Sequence, residues 1–150
     1  MEDSDLEVLN VIRDSLSRAF EVILGSNGLY VLKFHLERRL GADMYGVFYE
    51  NPHRFYKALE DFLGGGADAL TRLIFTWLIE NGYLENEGLT VDDYVRLLKK
   101  SEDKSRNLIV SFFIGVLGEG VVGGEWKKPL LLRLIYLGLT KSFMVFRGAG

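Results

Sequence analysis

Residues 51–82 read NPHRFYKALE DFLGGGADAL TRLIFTWLIE NG, and this stretch predicts two helices joined by a glycine turn. Asn51 is a favourable N-cap, and Pro52 has the fixed backbone angle that suits a first helical position. Apolar residues then recur at helical spacing on both sides of the three glycines at 64–66. The stretch is therefore typical of an αα-hairpin whose second helix covers about 67–81.

The same pattern extends towards the N-terminus. Residues 4–24 and 28–40 have apolar side chains at helical spacing, which predicts two more helices. Gly25 separates them and acts as a helix stop. Residues 42–50 contain two tyrosines and are expected to form a loop. These segments together predict a four-helix unit over residues 1–84.

The C-terminal third is harder to interpret. Thr90 and Asp93 have the spacing of a capping box, which predicts a helix that runs to about Lys99. Residues 107–117 are apolar all round, so a buried helix and a buried strand both stay open. Residues 129–140 predict a helix with a proline in its first turn.

Three apolar segments end in the same way, with leucine followed by glycine, at Leu24-Gly25, Leu63-Gly64 and Leu117-Gly118. Each leads through small residues into another apolar segment, which indicates helical hairpins with glycine caps. We therefore predict an all-α fold: a single-domain bundle of six or seven helices. Residues 85–150 are expected to pack on the four-helix unit.

Composition limits the class of protein. The 150 residues include 18 basic and 21 acidic side chains and no cysteine, which excludes disulfides and thiolate metal sites. The net charge of −3 argues against a nucleic-acid surface. Glutamine and cysteine are absent and methionine is scarce, which favours a thermophilic origin. The acidic N-terminus has no apolar signal core, so a cytoplasmic location is expected.

Membrane spans are not expected. The longest uncharged stretch, 107–118, is shorter than the roughly 20 residues that cross a bilayer. Peripheral contact with a membrane surface remains a lesser alternative.

Residues 5–84 resemble the nitrosopumilus output domain of the fifth type, a family of small archaeal helical domains. The resemblance implies an all-helical domain that occurs alone or beside sensory and signalling modules, with no known catalytic residues to transfer. Related sequences often have Gly-Glu-Gly-Ala where this chain has Gly64-Gly65-Gly66-Ala67, so an acidic residue is lost there. The residues that carry the likeness are Leu24-Gly25, His35-Leu36-Glu37, Gly41, Asn51-Pro52, Phe55, Ala58-Leu59-Glu60, Leu63 to Ala67, and Leu73-Ile74.

No motif in the sequence predicts catalysis, a cofactor or a metal. Gly118, Gly120 and Gly123 match a dinucleotide fingerprint in spacing, but too few residues follow for the rest of a nucleotide-binding sheet. His35 and His53 lack the partners of a catalytic base or a zinc site. His35 is expected at a helix edge.

The apolar C-terminal third suggests a function. Its surplus of apolar residues favours a non-catalytic interaction or regulatory module that forms a homodimer or binds another protein, with Phe112, Phe113 and Tyr136 at a dimer seam.

Two alternatives stay open. One is a small-ligand pocket between helices, lined by Tyr45, Tyr49 and Trp77. The other is a DNA-binding regulator. Asp92 and Asp93 argue against DNA binding, because they would place acidic side chains next to the phosphates.

Overall fold

The structure, a computed structural model, describes the backbone of residues 3–84 and 88–119 and the side chains of these residues from 5 to 113. This part of the chain is helical and contains no strand, so the predicted all-α class is confirmed. The helices are α1 (Asp3–Leu40), α2 (Met44–Glu50), α3 (Pro52–Leu63), α4 (Gly66–Glu80), α5 (Val91–Leu98) and α6 (Asp103–Glu119).

The hairpin predicted from residues 51–82 is present as α3 and α4. Asn51 caps α3, because its side-chain oxygen accepts a hydrogen bond from the Arg54 amide at 3.1 Å. Pro52 takes the first helical position. The two helices are connected through Gly64 and Gly65, as the sequence predicts.

The two predicted N-terminal helices form one helix, α1, with a break at a single residue. Gly25 has φ 77° and ψ 167°, a region that essentially only glycine enters. The predicted gap between residues 24 and 28 was wrong, because the chain resumes its helix directly after Gly25. We call residues 3–24 the first arm of α1 and residues 26–40 the second arm.

Residues 42–50 are not the predicted loop, since most of them form α2. Asp43 caps this short helix by accepting a hydrogen bond from the Gly46 amide at 3.0 Å. Glu37 of α1 accepts another from the Met44 amide at 3.0 Å. The helix buries most of its side chains in the core, so tertiary contacts stabilise a segment too short to be helical alone.

The open choice between helix and strand is decided for the apolar segment at 107–118. It belongs to α6, which begins at Asp103 and continues through Gly118 instead of ending there. Before it, α5 has the capping box predicted from Thr90 and Asp93. The residues that would form the second half of the third predicted hairpin lie outside the described residues.

One core joins the N-terminal helices to α6. Phe20 of α1 and Phe48 of α2 both contact the ring of Phe55 on α3, with centroids 6.4 and 5.4 Å away. Phe48 also meets Phe113 of α6 edge-on at 6.0 Å. Through this series of aromatic contacts, α6 shares a core with α1, α2 and α3.

Candidate functional site

The second arm of α1 carries apolar side chains on the face that points away from the core. Tyr30, Val31 and Phe34 are 73%, 49% and 52% exposed. Because residues three and four positions apart adjoin on a helix surface, Phe34 lies next to both Val31 and Tyr30, and the three side chains form one patch. We call this patch the α1 stripe.

The opposite face of the same arm is also apolar. Leu32, Leu36 and Leu40 are buried in the core. A helix that only covers a core has one apolar face and one polar face. The second arm therefore has a second apolar face that packing against its own core does not require. The α1 stripe is therefore the candidate functional surface.

The second arm is anchored along α3, which runs in the opposite direction. The ring of His35 stacks on Phe62 with centroids 4.6 Å apart, and the Arg39 guanidinium lies over the same ring, 5.6 Å from the Phe62 centroid. Further along, Arg54 donates from Nη2 to the Leu40 carbonyl at 2.7 Å. The α1 stripe is thus held on a packed helix.

The predicted dimer-seam residues lie elsewhere. Phe112 and Phe113 are 5% and 0% exposed, and their rings contact Tyr94 and Phe48 of the same chain. They belong to the monomer core and do not offer the exposed surface that a dimer seam needs. Tyr136 lies outside the described residues.

The residues predicted to line a ligand pocket do not share one set of contacts. Tyr45 and Tyr49 are buried on α2, and the Tyr49 hydroxyl donates to Asp5 at 2.6 Å. Burial raises the pKa of both phenols to about 12. Trp77, half-buried on α4, stacks on Tyr83 instead, with centroids 5.3 Å apart.

None of the three predicted pocket residues lines either of two cavities formed by described residues. One is a void in the aromatic core near Phe20, Phe55 and Phe75, with a volume of about 10 Å³, which is about the size of one water-sized probe. The other is a polar cleft of about 90 Å³ between the start of α3 and the α5–α6 connection.

The polar cleft has groups of both charges. His53, Lys100 and Arg106 line it together with Glu50 and two acidic residues at the start of α6. Two of these groups already have contacts within the chain. Arg106 donates from Nε to the Tyr49 carbonyl at 2.7 Å, and His53 Nδ1 lies 3.1 Å from the Leu98 carbonyl. The cleft therefore has no charge preference that points to one ligand class.

A polar cluster connects α3, α4 and the end of α5. The Tyr56 hydroxyl donates to Asp68, and Lys99 lies 3.2 Å from the same carboxylate and over the Tyr56 ring. The hydrogen bond from Tyr56 is the largest cause of a lowered pKa at Asp68, and Lys99 lowers it further. The cluster fixes the position of α5 on the α3–α4 hairpin.

This cluster predicts a loss of stability in acid. Because the folded state lowers the pKa of Asp68, the ionised carboxylate stabilises the fold above the unfolded value of about 3.9, and this contribution is lost as the pH falls through the folded value. Asp68→Asn is expected to be less stable than the wild type at pH 7, and the difference should narrow below about pH 4. Urea unfolding at pH values between 7 and 2.5 measures the difference in the free energy of unfolding between the two proteins.

Tyr56→Phe provides the matched variant for that experiment. This variant keeps the Asp68 carboxylate and removes the strongest cause of the lowered pKa of Asp68. The pH dependence of its free energy of unfolding should therefore lie between those of the wild type and Asp68→Asn. A difference between wild type and Asp68→Asn that stays constant from pH 7 to 2.5 would contradict the prediction.

The described residues contain no group of three or more His, Asp or Glu side chains placed to hold a metal ion. Nor is any described helix long and apolar enough to cross a membrane. Comparisons with protein-family models, with curated proteins and with solved structures found no match.

The α1 stripe was not predicted from the sequence, although the sequence contains a signal for it. Helical spacing places the leucines at 29, 32, 36 and 40 on the inner face of the second arm. Tyr30, Val31 and Phe34 then remain as apolar residues on the outer face of the same helix. Counting the apolar residues on each face of the helix, and not only along the whole segment, would have identified these three residues.

Proposed function

We propose that this protein is a non-catalytic interaction module that binds a partner protein through the α1 stripe. The observation that carries the proposal is the exposure of Tyr30, Val31 and Phe34 side by side on a helix whose other face is fully packed. Single exposed apolar residues are ordinary, but a contiguous patch is typical of an interaction site.

The aromatic content of the stripe supports the proposal. Tyr and Phe provide large contact areas with few rotatable bonds, and aromatic residues are enriched at the centres of protein interfaces. The stacking of His35 on Phe62 holds the second arm in place before a partner arrives, which reduces the ordering cost of binding.

The predicted homodimer remains a proposal, but the stripe favours a different partner. In a two-fold dimer each surface patch meets its own copy. A dimer through the α1 stripe would bring Lys33 and Arg38 of both copies together, and like charges at short distance are repulsive. A partner of different sequence avoids this repulsion.

A regulatory setting in an archaeal cytoplasm is also part of the proposal. It rests on the resemblance of residues 5–84 to archaeal output domains.

Site-specific photo-crosslinking in cells of the native host or a close relative tests the interaction. The full-length protein carries a benzophenone amino acid in place of Phe34, or, as the matched control, in place of Leu6, an exposed apolar residue on the first arm. We expect a discrete crosslinked product from position 34 and none from position 6. Tyr30→Glu should reduce the product at least about fivefold, because it places a charge within the contact.

The mass of the product identifies the type of partner. A product of twice the 17.0 kDa chain would indicate a homodimer, and any other discrete mass would indicate a different protein. Equal crosslinking from positions 34 and 6, or none from either, would contradict the proposal. Unchanged far-UV circular dichroism and thermal unfolding of Tyr30→Glu would show that the charge acts on binding and not on folding.

A further inference from the structure

Two cations and one acidic residue adjoin the α1 stripe. Lys33 follows Tyr30 by three residues and Arg38 follows Phe34 by four, so both lie next to the stripe, and the exposed Arg39 lies over the Phe62 ring. Glu37 follows Phe34 by three residues, but its carboxylate accepts a hydrogen bond from the Met44 amide at the start of α2. The rim of the stripe therefore has a positive net charge.

The cations near the α1 stripe have no acidic partner within the described part of the chain. Among the described side chains, those of residues 5–84 and 88–113, no carboxylate lies within ion-pair distance of Lys33, Arg38 or Arg39. Six other basic residues have such a carboxylate, and they are Arg13, Arg18, Lys57, Arg72, Arg96 and Lys99. Arg54, Lys100, Lys104 and Arg106 also lack an ion pair with a described residue, but they lie away from the stripe. Lys33, Arg38 and Arg39 are therefore the cations near the stripe that a partner's carboxylates could meet.

We infer that the partner segment is an amphipathic helix whose apolar face covers the α1 stripe and whose flanks carry aspartate or glutamate. This inference rests on the proposed function and specifies the chemistry of the partner. Carboxylates on the flanks of such a helix would meet Lys33, Arg38 and Arg39, while its apolar residues cover Tyr30, Val31 and Phe34.

The dimensions of the stripe fit a helix. Tyr30 and Phe34 are about 6 Å apart along the helix axis, and Arg38 lies about 6 Å further on, at 1.5 Å per residue. Two turns of a partner helix cover this length, with apolar residues at positions i, i+3 or i+4, and i+7.

Other occupants fit the charges less well. A second copy would bring cations to cations. An anionic membrane is flat, so it would face one whole side of a chain whose net charge is negative and would repel it. A helix contacts only the stripe and its rim. The C-terminal residues 120–150 of this chain cannot supply acidic flanks, because their charged residues are Glu125, Lys127, Lys128, Arg133, Lys141 and Arg147.

Two fluorescent helical peptides test the inference. Both have leucine at i, i+3, i+4 and i+7, and their flanking positions carry glutamate in one and lysine in the other. In anisotropy titrations with the full-length protein at low salt, the glutamate peptide should bind at least about tenfold more tightly, since each exposed ion pair changes affinity by roughly two- to fivefold. Added salt should reduce this preference.

Charge reversal on the protein supplies the decisive comparison. Lys33→Glu combined with Arg38→Glu should reverse the preference for the glutamate peptide. The matched control, Lys100→Glu with Lys104→Glu, changes the net charge equally at exposed positions away from the stripe and should keep the preference. Tyr30→Glu should weaken binding of both peptides.

Each remaining outcome would overturn the inference. Equal binding of the two peptides that Tyr30→Glu abolishes would exclude a charge-selective partner, although the stripe would still be an interaction site. Failure of both peptides to bind would exclude a helical partner, and crosslinking at position 34 would then decide the proposed function separately. Binding to phosphatidylserine vesicles that Lys33→Glu abolishes would indicate a membrane, and self-association that Tyr30→Glu abolishes would indicate a second copy.

Discussion

Phe113→Ala is expected to lower the free energy of unfolding by about 3–5 kcal/mol, because truncation of a buried phenylalanine removes its packing and leaves a cavity. Phe113 is fully buried and its ring contacts Phe48, which in turn contacts Phe55. The cavity would lie where α6 meets α2. Urea unfolding followed by circular dichroism measures the effect.

Phe34→Ala is the matched control, because it makes the same substitution at a half-exposed position. It should change the free energy of unfolding by no more than about 0.5 kcal/mol. The pair also distinguishes a core residue from a surface residue. Under conditions in which the Phe113→Ala variant is folded, it should still form the crosslink from a benzophenone in place of Phe34. A Phe113→Ala variant of wild-type stability that fails to self-associate would instead restore the predicted dimer seam.

Gly25→Ala is expected to cost about 1–3 kcal/mol of stability, because its backbone angles, φ 77° and ψ 167°, are strained for any residue with a Cβ atom. The space around it is open, since a Cβ atom there would meet nothing within 4 Å. Strain in the backbone is thus the cause of the loss, and steric clash is not. Urea unfolding at constant pH measures the effect.

Gly66→Ala is the control for Gly25→Ala. Gly66 begins α4 with helical geometry, and a Cβ atom there would make an ordinary contact with the Leu63 Cβ at 3.6 Å. Alanine at that position should be neutral or stabilise the protein by up to about 1 kcal/mol, because alanine restricts the unfolded chain. A loss of similar size in both variants would contradict the assignment of strain to Gly25.

The bend at Gly25 also depends on a close approach one turn later. A Cβ atom at Gly28 would lie 2.9 Å from the Cβ of Leu24, which is closer than two carbon atoms pack. Two glycines therefore permit the change of direction at the kink between the arms. This change allows the second arm to run along α3 and to present the α1 stripe.

The local features of this fold could be predicted from the sequence. The N-cap at Asn51, the capping box of Thr90 and Asp93, and the break at Gly25 all depend on interactions within a few residues. Helical spacing of apolar residues identified α3 and α4 for the same reason. Such signals are complete within one helix and its caps, so no knowledge of the neighbours was needed.

Other features depend on tertiary contacts between distant residues. The seven residues of α2 are helical because Glu37 and Asp43 satisfy their first amides and the core buries their side chains. The apolar run in α6 fits both a helix and a strand until its neighbours are known. Whether Phe113 is core or surface depends on Phe48, which is 65 positions away in the chain.

The sequence by itself determined the helical class, the caps and most helix boundaries, because these follow from backbone angles and short-range hydrogen bonds. The tertiary structure alone decided which apolar faces are covered. Phe112 and Phe113 are enclosed by other helices, whereas Tyr30, Val31 and Phe34 are not. Burial depends on the packing partners of each face, and periodicity along one helix identifies a face but not the surface that covers it.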